Sequence, residues 1–387
     1  MECQEGPSHI CRALKTKLEP LASRKIILLA TGTIYNDTLF VNGLYQNVVI
    51  LYKLFDAMGY APILLIKDMP DIQEIPNILK KMRMILPEEI IKNSIPIYMQ
   101  IEIAMSIDQS MRRYLRESGT KIVKMYLGNI LNIDIEIPIF YTEINFAHHI
   151  TGEIDEIWVS PHYKQHNEYA GFINNCGPAK IAPYVWDPYI LTLDKTRTFK
   201  WKAATANKDE PQVIVILEPN ICFQKCSLIP LLIVNQLYKK TRGNFKIIMG
   251  NSERIQANPF FTTTILPQLE IYKDGRIVFS GRNKITCIMN DYPSAIAIGH
   301  QWNNQYNYIT LEYLHAGFPV LHNSPDWSDA GYYYEGSDVD KGVMALEKAL
   351  EFHEFSQESY ASGAAALQWR HSPYNPEVQA AWKKLLS

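Results

Sequence analysis

The sequence predicts an α/β protein with two domains, each built on a parallel β-sheet, that face each other across a cleft. Apolar runs typical of strands buried on both faces alternate with segments that have helical spacing. The alternation stops in a polar stretch, 192–211, and then starts again. A chain of 387 residues is also longer than most single domains. We therefore interpret the polar stretch as a linker between two α/β halves.

The first half begins with the apolar run KIILLATG (25–32), which is predicted to be a strand. The segment LYQNVVILYKLFDAMGY (44–60) has apolar spacing of three and four and a helix-ending Gly59, and APILLI (61–66) follows as a strand. This is a βαβ unit. Further elements are predicted at IPIYMQI (95–101), DQSMRRYLRESG (108–119), TKIVKMYLG (120–128), EIDEIWVSP (153–161) and AKIAPYV (179–185).

The second half repeats the alternation. Strands are predicted at QVIVILEP (212–219), FKIIMG (245–250), RIVFSG (276–281), SAIAIG (294–299) and PVLHNS (319–324). Helices are predicted at 227–243, 258–275, 308–317 and 340–353, and the final segment NPEVQAAWKKLL (375–386) has the asparagine cap and first-turn proline of another helix. The predicted domains are 1–195 and 196–365, with 366–387 packing back on the first.

Composition excludes several classes of protein. The net charge is −2, so charge provides no reason to expect nucleic acid or an anionic membrane as a partner. No run of 18 apolar residues and no apolar signal core occurs, which predicts a cytoplasmic protein with no integral membrane segment. The six cysteines do not have the spacing of a zinc site, and no metal or cofactor is expected.

Both halves have the order of a Rossmann-like domain, but a dinucleotide site is not indicated. No G-x-G-x-x-G follows the first strand of either half. In open parallel sheets, ligands bind at the carboxyl ends of the strands. Residues that follow predicted strands are therefore the candidates for a binding site.

The stretch from Tyr306 to Ser324 has the most specific pattern. A loop leads into a short helix that contains Glu312, and Gly317, Pro319 and an apolar strand follow. This run resembles the retaining nucleotide-sugar glycosyltransferases of the GT-B fold, in particular family four. That family usually has two glutamates eight positions apart; here Glu312 is the second, and Asn304 occupies the first position. The resemblance makes Asn304 and Lys225 the candidates for a catalytic role.

The resemblance extends over about 25–350 and implies roles for further residues. Gly43 lies in the segment that resembles the family's glycine loop, and the resemblance implies that it binds the donor. Lys225 takes the place of the lysine that reaches the donor diphosphate, while Glu218 stands near the position of the usual arginine. No histidine occurs at Gly128–Asn129, where the family often has one facing the sugar. As the resemblance implies, the donor is a nucleotide-diphosphate sugar, and configuration is retained without a metal ion.

Physical chemistry independently favours a phosphate site at the helix beginning at Tyr308. Asn307 is a good N-cap, and the N–H groups of Tyr308, Ile309 and Thr310 would face a diphosphate. A carboxylate at Glu312 would accept hydrogen bonds from two ribose hydroxyls. The cation of Lys225 would offset the charge of the leaving diphosphate.

Other candidates are open to a structural interpretation. Arg282 follows a strand and either contacts the donor or is solvated. His148, His149 and Asn129 are candidates for contact with a glycan or other acceptor, although packed or surface histidines are commoner. Aromatic residues near the predicted site could stack on a base or a sugar, or pack in the core; they are Trp302, Tyr306, Trp327 and Tyr332 to Tyr334.

The primary hypothesis is therefore a glycosyltransferase that moves a sugar from a nucleotide sugar to a glycan or other hydroxyl acceptor. Two alternatives remain. A nucleotide-sugar epimerase should show paired acidic residues and a histidine around the sugar. A non-catalytic sugar-binding module with the same fold is compatible with Asn304 in place of the glutamate.

Overall fold

A computed structural model describes residues 23–40, 42–140, 149, 152–192, 200–204 and 209–387. The chain divides into two compact units, and we call Met1–Val185 with Pro373–Ser387 unit 1 and Trp186–Ser372 unit 2. The domains predicted above had boundaries at 195/196 and 365/366. Most of the expected linker, the first 22 residues and His148 lie outside the described residues.

Thirteen strands are found in the described residues. They are β1 (Ile26–Ala30), β2 (Ala61–Leu65), β3 (Met84–Ile85), β4 (Met99–Glu102), β5 (Lys121–Tyr126), β6 (Glu156–Val159), β7 (Lys180–Ile181), β8 (Gln212–Ile216), β9 (Phe245–Met249), β10 (Ile277–Phe279), β11 (Ile296–Ile298), β12 (Val320–His322) and β13 (Tyr332–Tyr333).

The α-helices of the described residues are α1 (Asn36–Leu39), α2 (Gly43–Ala57), α3 (Pro87–Lys92), α4 (Gln109–Glu117), α5 (Ile130–Phe140), α6 (Asn167–Phe172), α7 (Tyr189–Thr192), α8 (Leu228–Thr241), α9 (Glu253–Gln256), α10 (Glu270–Lys273), α11 (Ile285–Asp291), α12 (Tyr308–His315), α13 (Val339–Phe352), α14 (Gln357–Arg370) and α15 (Pro376–Leu386). None of these helices is both long and apolar enough to cross a membrane.

Unit 1 is built on a parallel sheet with the order β3-β2-β1-β4-β5-β6-β7. Every residue of β1 and β2 is buried, as the continuous apolar runs predicted. Helix α15 belongs to this unit because the buried Trp382 packs edge-on against Phe55 and Trp158, with ring centroids 5.4 and 5.8 Å away.

Unit 2 is built on a second parallel sheet, with the order β10-β9-β8-β11-β12-β13. The chain runs outward from β8 to β10, then returns and runs outward on the other side from β11 to β13. Strands β8 and β11 are therefore neighbours at the point where strand order reverses. Ligand sites form at such points in open α/β sheets, outside the carboxyl ends of the strands.

The predicted α/β class, with a parallel sheet in each of two units, is confirmed. The single helix predicted for 258–275 is wrong. That segment contains a π turn at Phe261–Ile265, a 3₁₀ turn at Leu266–Gln268 and the short α10. Pro267 has no N–H group to continue a helix. The hydroxyl of Thr263 also donates to the carbonyl of Pro259 at 2.7 Å, an arrangement that tends to bend helices.

Several elements were not predicted from the sequence. They are β3, β13, α1, α3, α5, α6, α7, α9, α11 and α14. The two strands have only two residues each, too few for a period to be visible. Helix α5 contains Pro138, which is a signal against a helix.

Candidate functional site

Polar side chains are buried where three neighbouring strands of unit 2 end. Glu218 follows β8, His300 and Gln301 follow β11, and Asn323 follows β12. Their exposed fractions are 2, 4, 4 and 7%. Burial of polar groups is costly unless they form hydrogen bonds, so this cluster must be held by specific partners.

The carboxylate of Glu218 is at the centre of this network. One of its oxygens accepts the backbone N–H of His300 at 2.9 Å, and the other accepts a hydrogen bond from the amide of Gln301. The amide oxygen of Gln301 in turn accepts a hydrogen bond from Nδ2 of Asn304 at 2.7 Å. The network thus connects β8 to the loop that follows β11.

The backbone of Gln301 is clamped by Asn323. The side-chain oxygen of Asn323 accepts the Gln301 N–H at 2.9 Å, and its amide donates to the Gln301 carbonyl at 2.9 Å and the Gly336 carbonyl at 3.0 Å. A side-chain amide that pairs with both groups of one residue leaves that residue little freedom to shift. The position of the Gln301 side chain is therefore well defined.

Burial raises the pKa of Glu218 to about 7. The bonds from His300 and Gln301 and the positive charge of Lys225 oppose this rise because they favour the ionised form. Burial lowers the pKa of His300 to about 4, so its imidazole is neutral at pH 7.

The hydrogen bonds of His300 also define its tautomer. The hydroxyl of Tyr334 donates its one hydrogen to the carbonyl of Gly299 at 2.9 Å, so Nδ1 of His300, 2.9 Å from that hydroxyl, must carry the ring proton. Nε2 then accepts from Ser337 at 3.3 Å.

Lys225 lies in the loop between β8 and α8, which is folded into a tight turn. Asn220 donates its backbone N–H to the Lys225 carbonyl at 3.0 Å, and Lys225 donates its own to Cys222 at 3.2 Å. The N–H of Trp302 donates to the carbonyl of Gln224 at 2.9 Å. This bond holds the loop with Lys225 against the loop with Asn304.

Helix α12 begins as predicted, with the side chain of Asn307 accepting the N–H of Ile309 at 3.2 Å. The N–H of Thr310 donates to the Asn307 carbonyl at 3.2 Å. Two of the three N–H groups expected to face a phosphate are therefore engaged within the cap. Glu312, one turn into the helix that begins at Tyr308, is buried, with 5% of its surface exposed.

The first turn of α12 lies next to the Glu218 network. A Cβ atom placed on Gly299 would lie 3.6 Å from Oε1 of Glu218 and 3.9 Å from Oγ1 of Thr310. Together, unit 2 groups Glu218, Lys225, Asn304 and the start of α12 at the carboxyl ends of β8 and β11.

The remaining donor-site candidate of unit 2 lies apart from this group. Arg282 follows β10, the edge strand, which is separated from β8 by β9. Its side chain is exposed, and its backbone N–H donates to Glu253 at 3.2 Å.

The candidate site residues of unit 1 lie at the start of a helix, just before a helix, or in contact with one. Gly43 is the first residue of α2, and the side chain of Asn129, buried ahead of α5, accepts the N–H of Asn132 at 3.2 Å. His149 lies 2.7 Å from the carboxylate of Asp134 in α5. Each of these contacts is compatible with a structural role as well as a role in binding.

Sequence reasoning did not identify Glu218, His300, Gln301 or Asn323 as functional residues. Glu218 and His300 come directly after apolar runs, and Gln301 and Asn323 come one residue later. A polar residue at such a position at the end of a strand is the signal that could have found them. Among the residues that the structure describes, no three histidine, cysteine, aspartate or glutamate side chains converge to hold a metal ion.

Comparison with solved structures identifies the class of fold. A glycosyltransferase from Rickettsia africae is 11% identical in sequence to this chain and has a TM-score of 0.53. The alignment covers 94% of this chain and 98% of the other. HepE from Anabaena in complex with UDP-glucose is 9% identical, with a TM-score of 0.52 and coverage of 93% and 99%. Trehalose 6-phosphate synthase from Burkholderia multivorans is 9% identical, with a TM-score of 0.56 and coverage of 94% and 98%.

The protein thus has the GT-B fold of glycosyltransferases. It belongs to the family described as protein of unknown function DUF2827, whose model matches residues 30–386. No curated protein matches the chain by sequence.

Proposed function

We propose that the protein is a glycosyltransferase that binds a nucleotide-diphosphate sugar in unit 2 and transfers the sugar to a hydroxyl of a glycan or other acceptor. The observation that carries this proposal is the buried polar network where β8 and β11 end. It lies at the reversal of strand order, where sheets of this kind bind ligands. HepE, which shares the fold, has been solved with UDP-glucose.

The residues of this region suit the parts of such a donor. Lys225 supplies a positive charge that would bind the diphosphate and stabilise it as it leaves. The first turn of α12 adds its dipole to that task, although Ile309 and Thr310 would have to share their N–H groups with Asn307. The buried carboxylate of Glu312 would accept hydrogen bonds from the ribose hydroxyls.

The proposed reaction retains anomeric configuration and uses no metal ion. Both features are carried over from the family-four resemblance around Glu312 and Asn304. Gly43 and Arg282 are proposed as donor-binding residues, and His148, His149 and Asn129 as acceptor-binding residues.

A panel of nucleoside diphosphates and their sugars tests the proposal directly. A ligand at 100 times its dissociation constant stabilises the folded protein by about 2.7 kcal/mol, which is measurable as a shift in Tm. We expect the nucleoside diphosphate with one particular base to stabilise the protein. The nucleotide sugar with the same base should then be transferred or slowly hydrolysed. No stabilisation by any member of the panel would contradict the proposal.

A non-catalytic sugar-binding module is the second candidate, because an amide at Asn304 cannot ionise as a glutamate would. It predicts that a nucleotide sugar binds but is neither hydrolysed nor transferred. Product analysis of the same panel distinguishes the two candidates.

A further inference from the structure

Two polar residues of strand β4 are fully enclosed in unit 1. Gln100 and Glu102 both have an exposed fraction of 0%. Because they are two positions apart in a strand, their side chains lie on the same face of the sheet. Leu28 of β1 and Ile122 of β5 stand opposite Gln100 on either side, and both belong to one apolar cluster. The amide of Gln100 is therefore placed in an apolar environment.

The hydrogen-bonding groups of these two side chains are only partly used. Within the part of the chain that the structure describes, Nε2 and Oε1 of Gln100 and Oε2 of Glu102 are buried and have no hydrogen-bond partner. Burial of a polar atom without a partner is costly. Buried polar side chains therefore nearly always bond to another protein group or to an ordered water molecule.

The charged groups around Glu102 are engaged with other atoms. Nε of Arg112 donates to Oε1 of Glu102 at 2.8 Å, and Nη2 of Arg112 donates to the carbonyl of Ile107 at 2.6 Å. Lys124 stands opposite Glu102 on β5, and its Nζ donates to the hydroxyl of Ser106 at 3.2 Å. The carboxylate of Glu102 is thus anchored through one of its two oxygens.

Burial and charge limit what could bond to the remaining atoms. A cation would add to the positive charges of Arg112 and Lys124, and an anion would be repelled by the carboxylate of Glu102. A neutral molecule that both donates and accepts hydrogen bonds meets both limits. Because neither Gln100 nor Glu102 is exposed, that molecule must also be small, and water has all of these properties.

We propose that Gln100 and Glu102 hold an internal water molecule in unit 1. The water accepts a hydrogen bond from Nε2 of Gln100 and donates one to Oε2 of Glu102, which the ion pair with Arg112 makes an acceptor. A buried ion pair is stabilising only when its remaining oxygens also form hydrogen bonds. The water therefore completes the Glu102–Arg112 pair that joins β4 to α4, and this role is independent of the proposed activity.

A crystal structure of the wild-type protein that shows ordered solvent tests the site directly. We expect electron density for a water molecule about 2.7–3.2 Å from both Nε2 of Gln100 and Oε2 of Glu102. A direct hydrogen bond between the two side chains would overturn the inference. An amide of Gln100 that contacts carbon atoms alone would overturn it as well.

Replacement of Gln100 by methionine provides a second test, in which the sign of the change in Tm is informative. Methionine is unbranched like glutamine and fits a similar space without an amide. If the amide has no partner, its removal should raise Tm or leave it unchanged. If the water is present, Gln100→Met removes a partner of the water that bonds to Glu102, and Tm should fall by about 2 °C or more.

Leu28→Met is the matched control, because it places a methionine beside the same site without removing a polar group. We expect Leu28→Met to lower Tm less than Gln100→Met does. A Gln100→Met protein that is at least as stable as the wild type would overturn the inference. A loss of Tm no larger than that of the control would also overturn it, because packing alone would then explain the change.

Discussion

The ionisation of Glu218 should make the stability of unit 2 depend on pH in a direction opposite to that of most carboxylates. Its pKa rises from an ordinary value of 4.5 to about 7 because burial disfavours the charged form. Below pH 4.5, Glu218 is protonated in both the folded and the unfolded chain. Between pH 4.5 and 7 the unfolded chain releases this proton while the folded chain keeps it, so the free energy of unfolding falls as pH rises.

The size of the effect follows from the two pKa values. The rise of about 2.5 pKa units corresponds to about 3 kcal/mol in full, of which about 2.5 kcal/mol develops between pH 5 and pH 8. Two histidines of unit 2 act in the opposite direction. Burial lowers the pKa of His300 and His322 to about 4, so their contribution is complete above pH 6.5 and is lost as the pH falls toward 4.

The contribution of Glu218 can be isolated by subtraction. We expect the difference in free energy of unfolding, wild type minus Glu218→Gln, to fall by about 2.5 kcal/mol from pH 5 to pH 8. Urea unfolding at pH 5, 6.5 and 8, followed by the fluorescence of the seven tryptophans, measures it. Lys225, Cys226 and Tyr334 also interact electrostatically with Glu218 and are present in both proteins.

The control is Glu351→Gln, which removes an exposed carboxylate on α13 outside this network; the fall measured with Glu218→Gln should exceed any fall measured with this control. A difference for Glu218→Gln that is constant with pH, or that rises, would refute the argument. It would mean that the folded protein releases this proton as readily as the unfolded chain.

Three further predictions concern the donor, metal ions and packing. Glu312→Gln should weaken donor binding roughly ten- to a hundredfold in titration calorimetry, since hydrogen bonds to a charged group contribute about 1.5–3 kcal/mol. The Tm of this variant should change little. A lowered Tm with unchanged affinity would assign Glu312 a structural role. EDTA should leave sugar transfer intact, and activity lost in EDTA and restored by manganese would contradict metal-independence. Gly342→Ala in α13 should lower the free energy of unfolding by about 1–3 kcal/mol in urea, because the new Cβ would lie 2.6 Å from Cγ1 of Ile233. The same substitution should cost less in an Ile233→Ala background. An equal cost in both backgrounds would rule out that clash.

The sequence by itself determined the order of the main elements and the cap of the helix that contains Glu312. Both are local properties. A strand buried on both faces must be apolar throughout, as β1 is, and an asparagine can cap a helix only when it directly precedes the helix, as Asn307 does. Where local signals conflicted, prediction failed, as it did around Pro267 and Pro138.

Only the tertiary structure decided which polar groups meet. Glu218 and Gln301 are 83 positions apart, and their contact exists because the sheet places β11 beside β8, although β9 and β10 come between them in the chain. The periodicity of a strand shows that it is buried but not which strand will be its neighbour. A glutamate after an apolar run therefore appears in the sequence as an ordinary loop residue, and strand order makes it the centre of a buried network.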